Sequence, residues 1–157
     1  MSQLKNNMTQ YITEEEVQEA VLRLAKEVEI DYHGKDLILI APLKGSFMFM
    51  ADLARNMNHN GVQMDYVYLK SIKSGQAVEI KKDIDTNITD KHVIVVEEII
   101  DAGRTLNFLL KRLSANKPAS LRILTLLDKP ARREIPLKPD YVGLTIDDRY
   151  VVGYGMD

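Results

Sequence analysis

Apolar residues along this chain follow two alternating patterns, one typical of buried strands and the other of helices. Residues 36–41, 93–96 and 121–127 are mainly apolar, and residues 62–70 are rich in β-branched and aromatic side chains. Runs of this kind predict strands, and those without polar alternation predict strands covered on both faces. They are therefore candidates for the interior strands of a sheet.

Between these runs, apolar residues recur every three or four positions, which predicts three helices. The first opens at a capping box formed by Thr13 and Glu16 and ends near Gly34. Because strands and helices alternate, we expect an α/β fold: a doubly wound, mainly parallel sheet flanked by helices. The apolar positions are Val17, Ala20, Val21, Leu24, Ala25 and Val28, then Phe47, Met50, Leu53, Ala54 and Met57, then Leu106, Leu109, Leu110 and Leu113.

The remaining segments are polar or short. Residues 1–12 are predicted to form an irregular N-terminal arm, and residues 69–80 contain a loop or hairpin tip. Two short final strands are predicted at 141–146 and 151–154. With 157 residues, the chain has the length of a single domain spanning 1–157.

Composition excludes several classes of function. The chain has 21 Lys and Arg against 23 Asp and Glu, whereas a general nucleic-acid binder would normally present a basic face. No apolar run approaches the length that spans a membrane, and the N-terminus lacks the apolar core of a signal peptide. We therefore expect a cytoplasmic protein without nucleic-acid or membrane partners. There is no cysteine, so thiol chemistry is excluded.

The stretch from His92 to Leu106 combines a candidate phosphate site with acidic residues. The predicted strand ends at Glu97 and Glu98, and the turn from Asp101 to Thr105 leads into the third helix. A Gly-containing turn at a helix N-terminus can direct backbone N–H groups at an anion such as a phosphate. Because carboxylates repel phosphate, these acids are expected to serve sugar hydroxyls, a Mg²⁺ ion or a proton. The alternative is a solvated strand end with a helix-capping Asp.

Two other strand ends carry candidate binding residues. The turn from Leu43 to Ser46 repeats the order of strand, Gly-containing turn and helix, and Lys129 follows the strand at 121–127. Ligands of doubly wound sheets bind beyond the carboxyl ends of the strands, where all three groups fall. Taken singly, the turn also fits an ordinary connection with a Ser N-cap, and Lys129 a surface lysine. Their convergence predicts one site.

Other site types lack support. The chain has no Gly-x-x-x-x-Gly-Lys-Ser/Thr motif, no Gly-x-Gly-x-x-Gly after the first strand and no serine in a nucleophile-elbow context. His33, His59 and His92 are widely separated, without the spacing of metal ligands, and are predicted to be surface residues.

Residues 93–105 resemble the phosphoribosyl-diphosphate (PRPP) motif of type I phosphoribosyltransferases. The similarity is greatest to their hypoxanthine–guanine branch, whose pattern is an apolar strand followed by Glu-Asp-Ile-Ile-Asp-Thr-Gly-Lys/Arg-Thr. Here Glu98 replaces the Asp, and Ala102 replaces the first Thr. The C-terminal third also resembles the purine-specific branch, in Leu-Leu-Asp-Lys-Pro, Pro-Asp-Tyr-Val-Gly and Tyr-Val-Val-Gly-Tyr-Gly-Met-Asp. The resemblance covers roughly residues 10 to 157.

The resemblance implies an enzyme of purine salvage. It would transfer the 5-phosphoribosyl group from PRPP to hypoxanthine, and also to guanine, giving IMP or GMP and diphosphate. It further implies a small hood from the terminal segments, a mobile lid at about 69–80 that includes Ser71, Mg²⁺ as cofactor and a homodimer or homotetramer. The lid's usual Ser-Tyr pair is Ser71-Ile72 here.

Site residues follow from the same resemblance, with Asp101 as the general base. A non-proline cis peptide is implied between Leu43 and Lys44. For Tyr150, a core aromatic is the alternative. The remaining assignments are Asp101, Ala102, Gly103, Arg104 and Thr105 for the 5′-phosphate, Glu97 and Glu98 for ribose and metal, Leu43, Lys44 and Gly45 for diphosphate, Lys129, Tyr150, Val151 and Asp157 for the purine, and Asp157 again for the metal.

Two rival functions remain open. A PRPP-binding regulator would keep the phosphate loop and add a basic surface or a DNA-binding domain. A phosphoribosyltransferase for another base, such as xanthine, would share most of these motifs.

Overall fold

A computed structural model describes residues 8–72 and 77–156, which form one six-stranded sheet with helices on both faces. Each predicted helix is present, and the first has the predicted capping box between Thr13 and Glu16. The elements are α1 (Glu14–Asp31), β1 (Leu37–Leu43), α2 (Phe47–Asn56), β2 (Val62–Ile72), β3 (Ala77–Lys82), β4 (His92–Ile100), α3 (Arg104–Ser114), β5 (Ser120–Asp128), a 3₁₀ turn (Pro130–Arg132) and β6 (Tyr141–Thr145).

The sheet has the strand order β3-β2-β1-β4-β5-β6. All neighbouring pairs are parallel except β2 and β3, which form an antiparallel hairpin. From β1 the chain crosses to β2 on one side, and from β4 it crosses to β5 on the other. Right-handed crossovers in opposite directions place their helices on opposite faces of a sheet. The order therefore reverses between β1 and β4, where a doubly wound sheet binds its ligand.

Both faces of the central strands are buried, which explains their unbroken apolar runs. In β1, Leu37, Leu39 and Ala41 pack with α1 and α2, whereas Ile38 and Ile40 face the cluster that includes Leu106, Leu109 and Leu113 of α3. In β4, Ile94 and Val96 face the first cluster, and Val93 and Val95 face the second. The predicted doubly wound, mainly parallel sheet is confirmed.

Strand β4 and the strand predicted at 151–154 differ from the sequence prediction. Strand β4 continues through both glutamates to Ile100, because Ile99 and Ile100 still pair with Leu127 and Asp128 of β5. The strand predicted at 151–154 is absent from the described residues, where only an isolated bridge joins Gly153 to Met156. Gly153, Tyr154 and Gly155 all have positive φ, which is incompatible with a strand.

The histidine prediction was only partly right. His33 is exposed, but His59 and His92 are half-buried. The ring of His59 hydrogen-bonds the Tyr32 carbonyl at 2.8 Å, and that of His92 hydrogen-bonds Ser120 Oγ at 2.7 Å. Both lie where the end of α1 covers the amino edge of the sheet, which a spacing argument does not reveal.

The terminal segments lie together. Residues 8–12 form no helix or strand, and the Arg149 guanidinium lies 4.7 Å from the centroid of the Tyr11 ring. Residues 1–7, and residues 73–76 within the predicted lid, lie outside the described residues. None of the helices in the described segments is both long and apolar enough to cross a membrane.

Candidate active site

A cavity of about 680 Å³ lies at the reversal point of the sheet. Its walls come from the carboxyl ends of β1 and β4, with Leu69 and Ser71 of β2 on one side. Residues 42–45 and 97–106 contribute the rest of the lining. The two Gly-containing turns, which lie more than 50 positions apart in the sequence, therefore face one cavity.

The turn after β4 presents a helix N-terminus to this cavity. Gly103, the N-cap of α3, has φ of 85°, a left-handed conformation that favours glycine. Its carbonyl accepts the N–H of Asn107 at 2.9 Å, which closes the first helical turn. The N–H groups that begin a helix have no partner within it, so this end can bind an anion.

The two glutamates have different surroundings because successive strand residues point to opposite faces. Burial, together with the negative charge of Glu98, raises the pKa of Glu97 well above its usual value. The Glu98 carboxyl lies against Gly45, where a Cβ atom would overlap Oε1 and lie 2.6 Å from Cδ. Glu98 thus reaches across from β4 to the turn after β1.

The turn after β1 contains the expected cis peptide, between Leu43 and Lys44. Ser46 is fully buried, and its hydroxyl donates to the Pro42 carbonyl rather than capping α2. Gly155 approaches the same turn from the C-terminal segment, and a Cβ there would lie 2.5 Å from the Gly45 carbonyl oxygen. Gly45 is therefore confined between Glu98 and Gly155.

Two arginines contact the candidate base Asp101, one at its side chain and one at its backbone. Its carboxylate oxygen lies 3.2 Å from Nε of Arg132, and both side chains are about half exposed. Its backbone carbonyl accepts a hydrogen bond of 2.7 Å from Arg133. The second Nη of Arg133 bonds the Asp128 carboxylate, and both of these side chains are only 12% exposed.

The residues expected at the purine are distributed differently. Tyr150 and Val151 line a second cavity, of about 1290 Å³, between the N-terminal arm and the C-terminal segment. Tyr150 is 84% exposed, which excludes a core aromatic, and Lys129 is 6% exposed, which excludes a surface lysine. Lys129 is not one of the described residues that line either cavity. Asp157 lies outside the described residues.

The carboxylates suit a metal that is shared with a substrate. Within residues 8–72 and 77–156, no group of three or more His, Asp or Glu side chains is arranged to hold a metal ion. Magnesium commonly keeps several waters and binds through one or two carboxylates plus substrate phosphates. Glu97 and Glu98 fit that requirement, and they do not form a cage that would bind the ion without a substrate.

The sequence analysis did not identify the arginines at 132 and 133 as site residues. Arg132 contacts Asp101, and Arg133 is almost buried between Asp101 and Asp128. The available signal was their position, four and five residues after the end of β5 at the edge of the sheet that carries the site.

Comparison with known proteins agrees with this arrangement. Residues 8–157 match the model of the phosphoribosyl transferase domain. The chain is 40% identical over 160 residues to hypoxanthine phosphoribosyltransferase of Escherichia coli K12, which covers 98% of this chain and 89% of that relative.

Solved structures give the same result. A hypoxanthine-guanine phosphoribosyltransferase from Bacillus anthracis superimposes with a TM-score of 0.90 at 47% identity, covering 96% of this chain and 88% of that one. A hypoxanthine phosphoribosyltransferase from Trypanosoma cruzi, in complex with the product IMP, superimposes with a TM-score of 0.87 at 38% identity, covering 94% and 84%. This chain therefore belongs to the phosphoribosyltransferase family.

Proposed function

We propose that this protein transfers the 5-phosphoribosyl group of PRPP to hypoxanthine, and also to guanine, in purine salvage. The observation that carries the proposal is the single cavity shared by residues 42–45 and 97–106. One ligand with a phosphate at one end and a diphosphate at the other would engage both Gly-containing turns. The similarity to enzymes named for hypoxanthine supports the choice of base.

The sugar-phosphate half of PRPP would occupy the first cavity. Its 5′-phosphate would accept hydrogen bonds from the N–H groups of residues 102–105 and from the Thr105 hydroxyl, and Arg104 begins the adjoining helix. The ribose hydroxyls would face Glu97 and Glu98. Residues 43–45 would hold the diphosphate, with the Lys44 ammonium opposing the negative charge that grows as this group leaves.

Asp101 would act as the general base. The purine N9 forms a bond to C1 of the ribose while the bond from C1 to the diphosphate breaks, and the N7 proton passes to the Asp101 carboxylate. The same carboxylate faces the positive charge that develops on the sugar. Because its pairing with Arg132 is half exposed, the carboxylate can exchange that partner for substrate.

Magnesium is the proposed cofactor, held by Glu97, Glu98 and the diphosphate, with Asp157 as a further candidate. When bound, it would neutralise charge on the diphosphate and orient it. The raised pKa of Glu97 fits a group whose proton is displaced when a cation binds.

The purine would lie between Lys129 and Tyr150. Lys129 would donate to the 6-oxo group, and the exposed Tyr150 ring would stack on the base. The backbone of Val151, and Asp157, would contact the edge of the base. We further propose a single cytoplasmic domain that works as a homodimer or homotetramer.

The described parts of β2 and β3 belong to the segment that the resemblance implies as a mobile lid. It covers about residues 69–80, and Ser71 lines the first cavity. Closure over the site would exclude water from the reacting sugar.

A diphosphate-release assay tests the function. The protein is supplied with PRPP, Mg²⁺ and, in turn, hypoxanthine, guanine, xanthine or adenine. We expect release with hypoxanthine and guanine. Release with xanthine or adenine alone would assign another base, and release with none of the four would favour a PRPP-binding regulator.

A further inference from the structure

The short segment after the 3₁₀ turn packs directly on the turn that carries the candidate phosphate site. The backbone N–H groups of Glu134 and Ile135 donate to the Ala102 carbonyl at 3.1 and 3.4 Å. The Arg133 guanidinium donates to the Asp101 carbonyl at 2.7 Å. Two successive carbonyls of the phosphate turn therefore point at one neighbouring segment.

The direction of these carbonyls sets the direction of the N–H groups that follow them. Among the described residues, the only cis peptide joins Leu43 to Lys44, so the peptides at 101–102 and 102–103 are trans. In a planar trans peptide, the C=O and the N–H point in opposite directions. The N–H groups of Ala102 and Gly103 consequently face away from the 133–135 segment, and both residues line the cavity.

Arg133 is suited to this task by its shape and its burial. One of its Nη atoms bonds Asp101, and the other bonds the Asp128 carboxylate at the end of β5. The planar guanidinium can hold both acceptors at once, whereas a lysine ammonium is a compact point charge. Both side chains of the ion pair are 12% exposed, so each would be left as a poorly hydrated charge without the other.

We propose that Arg133 is a positioning residue of the 5′-phosphate site. It holds the peptide at 101–102 so that the Ala102 N–H faces the phosphate, and it joins that turn to Asp128, the residue next to Lys129. One side chain therefore fixes the spacing between the phosphate and purine parts of the site. This inference rests on the proposed function.

The test uses ribose 5-phosphate, which carries the phosphate but neither diphosphate nor base, and measures its binding by titration calorimetry. Arg133→Met should weaken binding on the order of tenfold or more, because a charged hydrogen bond that orients a ligand donor is lost. Arg133→Lys should weaken ribose 5-phosphate binding less, because lysine keeps the positive charge but lacks the planar guanidinium that holds both acceptors. In the diphosphate-release assay, the KM for PRPP should rise more than the KM for the purine.

Two further variants separate this role from stability. Asp128→Asn combined with Arg133→Met removes both buried charges, so it should regain stability while ribose 5-phosphate binding stays weak. Arg23→Met is the matched control, because Arg23 also bonds backbone carbonyls, those of Val142 and Gly143, but lies on α1 away from the site. It should leave ribose 5-phosphate binding unchanged.

The outcomes also distinguish this inference from the proposed function. Binding within twofold of the unsubstituted protein in the folded double variant would overturn the positioning role. So would an equal loss in Arg23→Met, or no ribose 5-phosphate binding by the unsubstituted protein. If the protein binds ribose 5-phosphate through Arg133 but transfers nothing to any purine, the positioning role stands and the proposed function fails.

Discussion

The candidate base Asp101 needs a fixed backbone and an accessible carboxylate, and its surroundings provide these separately. Its backbone is fixed by Arg133, whereas its carboxylate is about half exposed beside Arg132. Arg132 also lies 3.6 Å from the Asp148 carboxylate, so this arginine has a second partner besides Asp101. The proposed catalytic role and the proposed positioning contact therefore involve different atoms of one residue.

Asp101→Asn keeps the size of the side chain and removes the proton acceptor. We expect turnover to fall by at least about 100-fold while PRPP binding is largely retained. The measurement is kcat for diphosphate release together with calorimetric binding of PRPP. Asp148→Asn is the matched control, since it removes the other carboxylate beside Arg132. Near-normal turnover in Asp101→Asn would exclude it as the base.

Gly45 and Glu98 offer a second test at this scale. A Cβ in Gly45→Ala would overlap Glu98 Oε1, so the carboxyl must move. We expect the KM for PRPP to rise on the order of tenfold, a free-energy change of about 1.4 kcal/mol. Glu98→Asp withdraws the carboxyl by one methylene, so in the double variant the two effects should be less than additive by about 1 kcal/mol. Strictly additive effects would mean that the two residues do not touch.

Asp65 joins strand β2 to the connection between β3 and β4. It is 8% exposed, and its carboxylate accepts the N–H groups of Asp85 and Thr86, each at 2.8 Å. Burial by itself would raise the pKa of Asp65, but the hydrogen bonds from Thr86, Tyr66 and Asp85 outweigh it and lower the pKa. Asp85 and Thr86 belong to no strand, so their N–H groups bond this carboxylate instead of the backbone of a neighbouring strand.

Asp65→Asn should reduce the free energy of unfolding by about 1–3 kcal/mol at neutral pH. Because the pKa in the folded state is below that in the unfolded state, the stabilisation is present above the ordinary aspartate range. It is lost as the pH falls through the lowered pKa of the folded state. Urea unfolding at a series of pH values should show the two proteins converging in acid.

Asp85→Asn is the control for this experiment, since the Asp85 side chain is 85% exposed and only pairs with Lys82. It should change stability little at any pH. A pH-independent difference between Asp65→Asn and the unsubstituted protein would show that the carboxylate charge is not responsible.

The C-terminal segment packs against α2 and the turn after β1, which lie far from it in the sequence. The Tyr154 hydroxyl donates to Asp52 of α2, and Gly155 lies against the Gly45 carbonyl. Tyr154 is partly buried. Its burial is the larger cause of a raised pKa, and its hydrogen bond to Asp52 is the second cause. The end of the chain therefore supports the turn proposed to hold diphosphate.

Gly155→Ala should disturb this contact. It places a Cβ at a φ of 91° and 2.5 Å from the Gly45 carbonyl oxygen, so we expect a loss of stability of about 1–3 kcal/mol and a higher KM for PRPP. Gly153→Ala has the same positive-φ strain, but nothing lies within 4 Å of its Cβ. Thermal unfolding and the KM for PRPP, measured for both variants, should therefore separate the effect of backbone strain from the effect of the contact with Gly45. An equal KM in both would contradict the supporting role.

Local sequence patterns were sufficient to predict the helices, most of the strands, the class of the sheet and the two Gly-containing turns. Unbroken apolar runs and helical spacing report how each segment is buried, and burial is a local consequence of strand and helix periodicity. The same logic placed residues 43–45, 97–105 and 129 at one edge of the sheet. It failed at 151–154, where Gly153 and Tyr154 have positive φ and no strand forms.

The contacts between side chains at that edge of the sheet could not be predicted from the sequence and follow from the tertiary structure. Three contacts join residues that are distant in sequence or on different elements. Glu98 contacts Gly45, and Gly155 approaches Gly45 from the C-terminal segment. Arg133 hydrogen-bonds both Asp101 and Asp128. Such contacts depend on strand order and register, which place β1 beside β4 and Ile100 beside Asp128. No local pattern encodes that pairing, because hydrophobic periodicity reports whether a residue is buried and not which partner buries it.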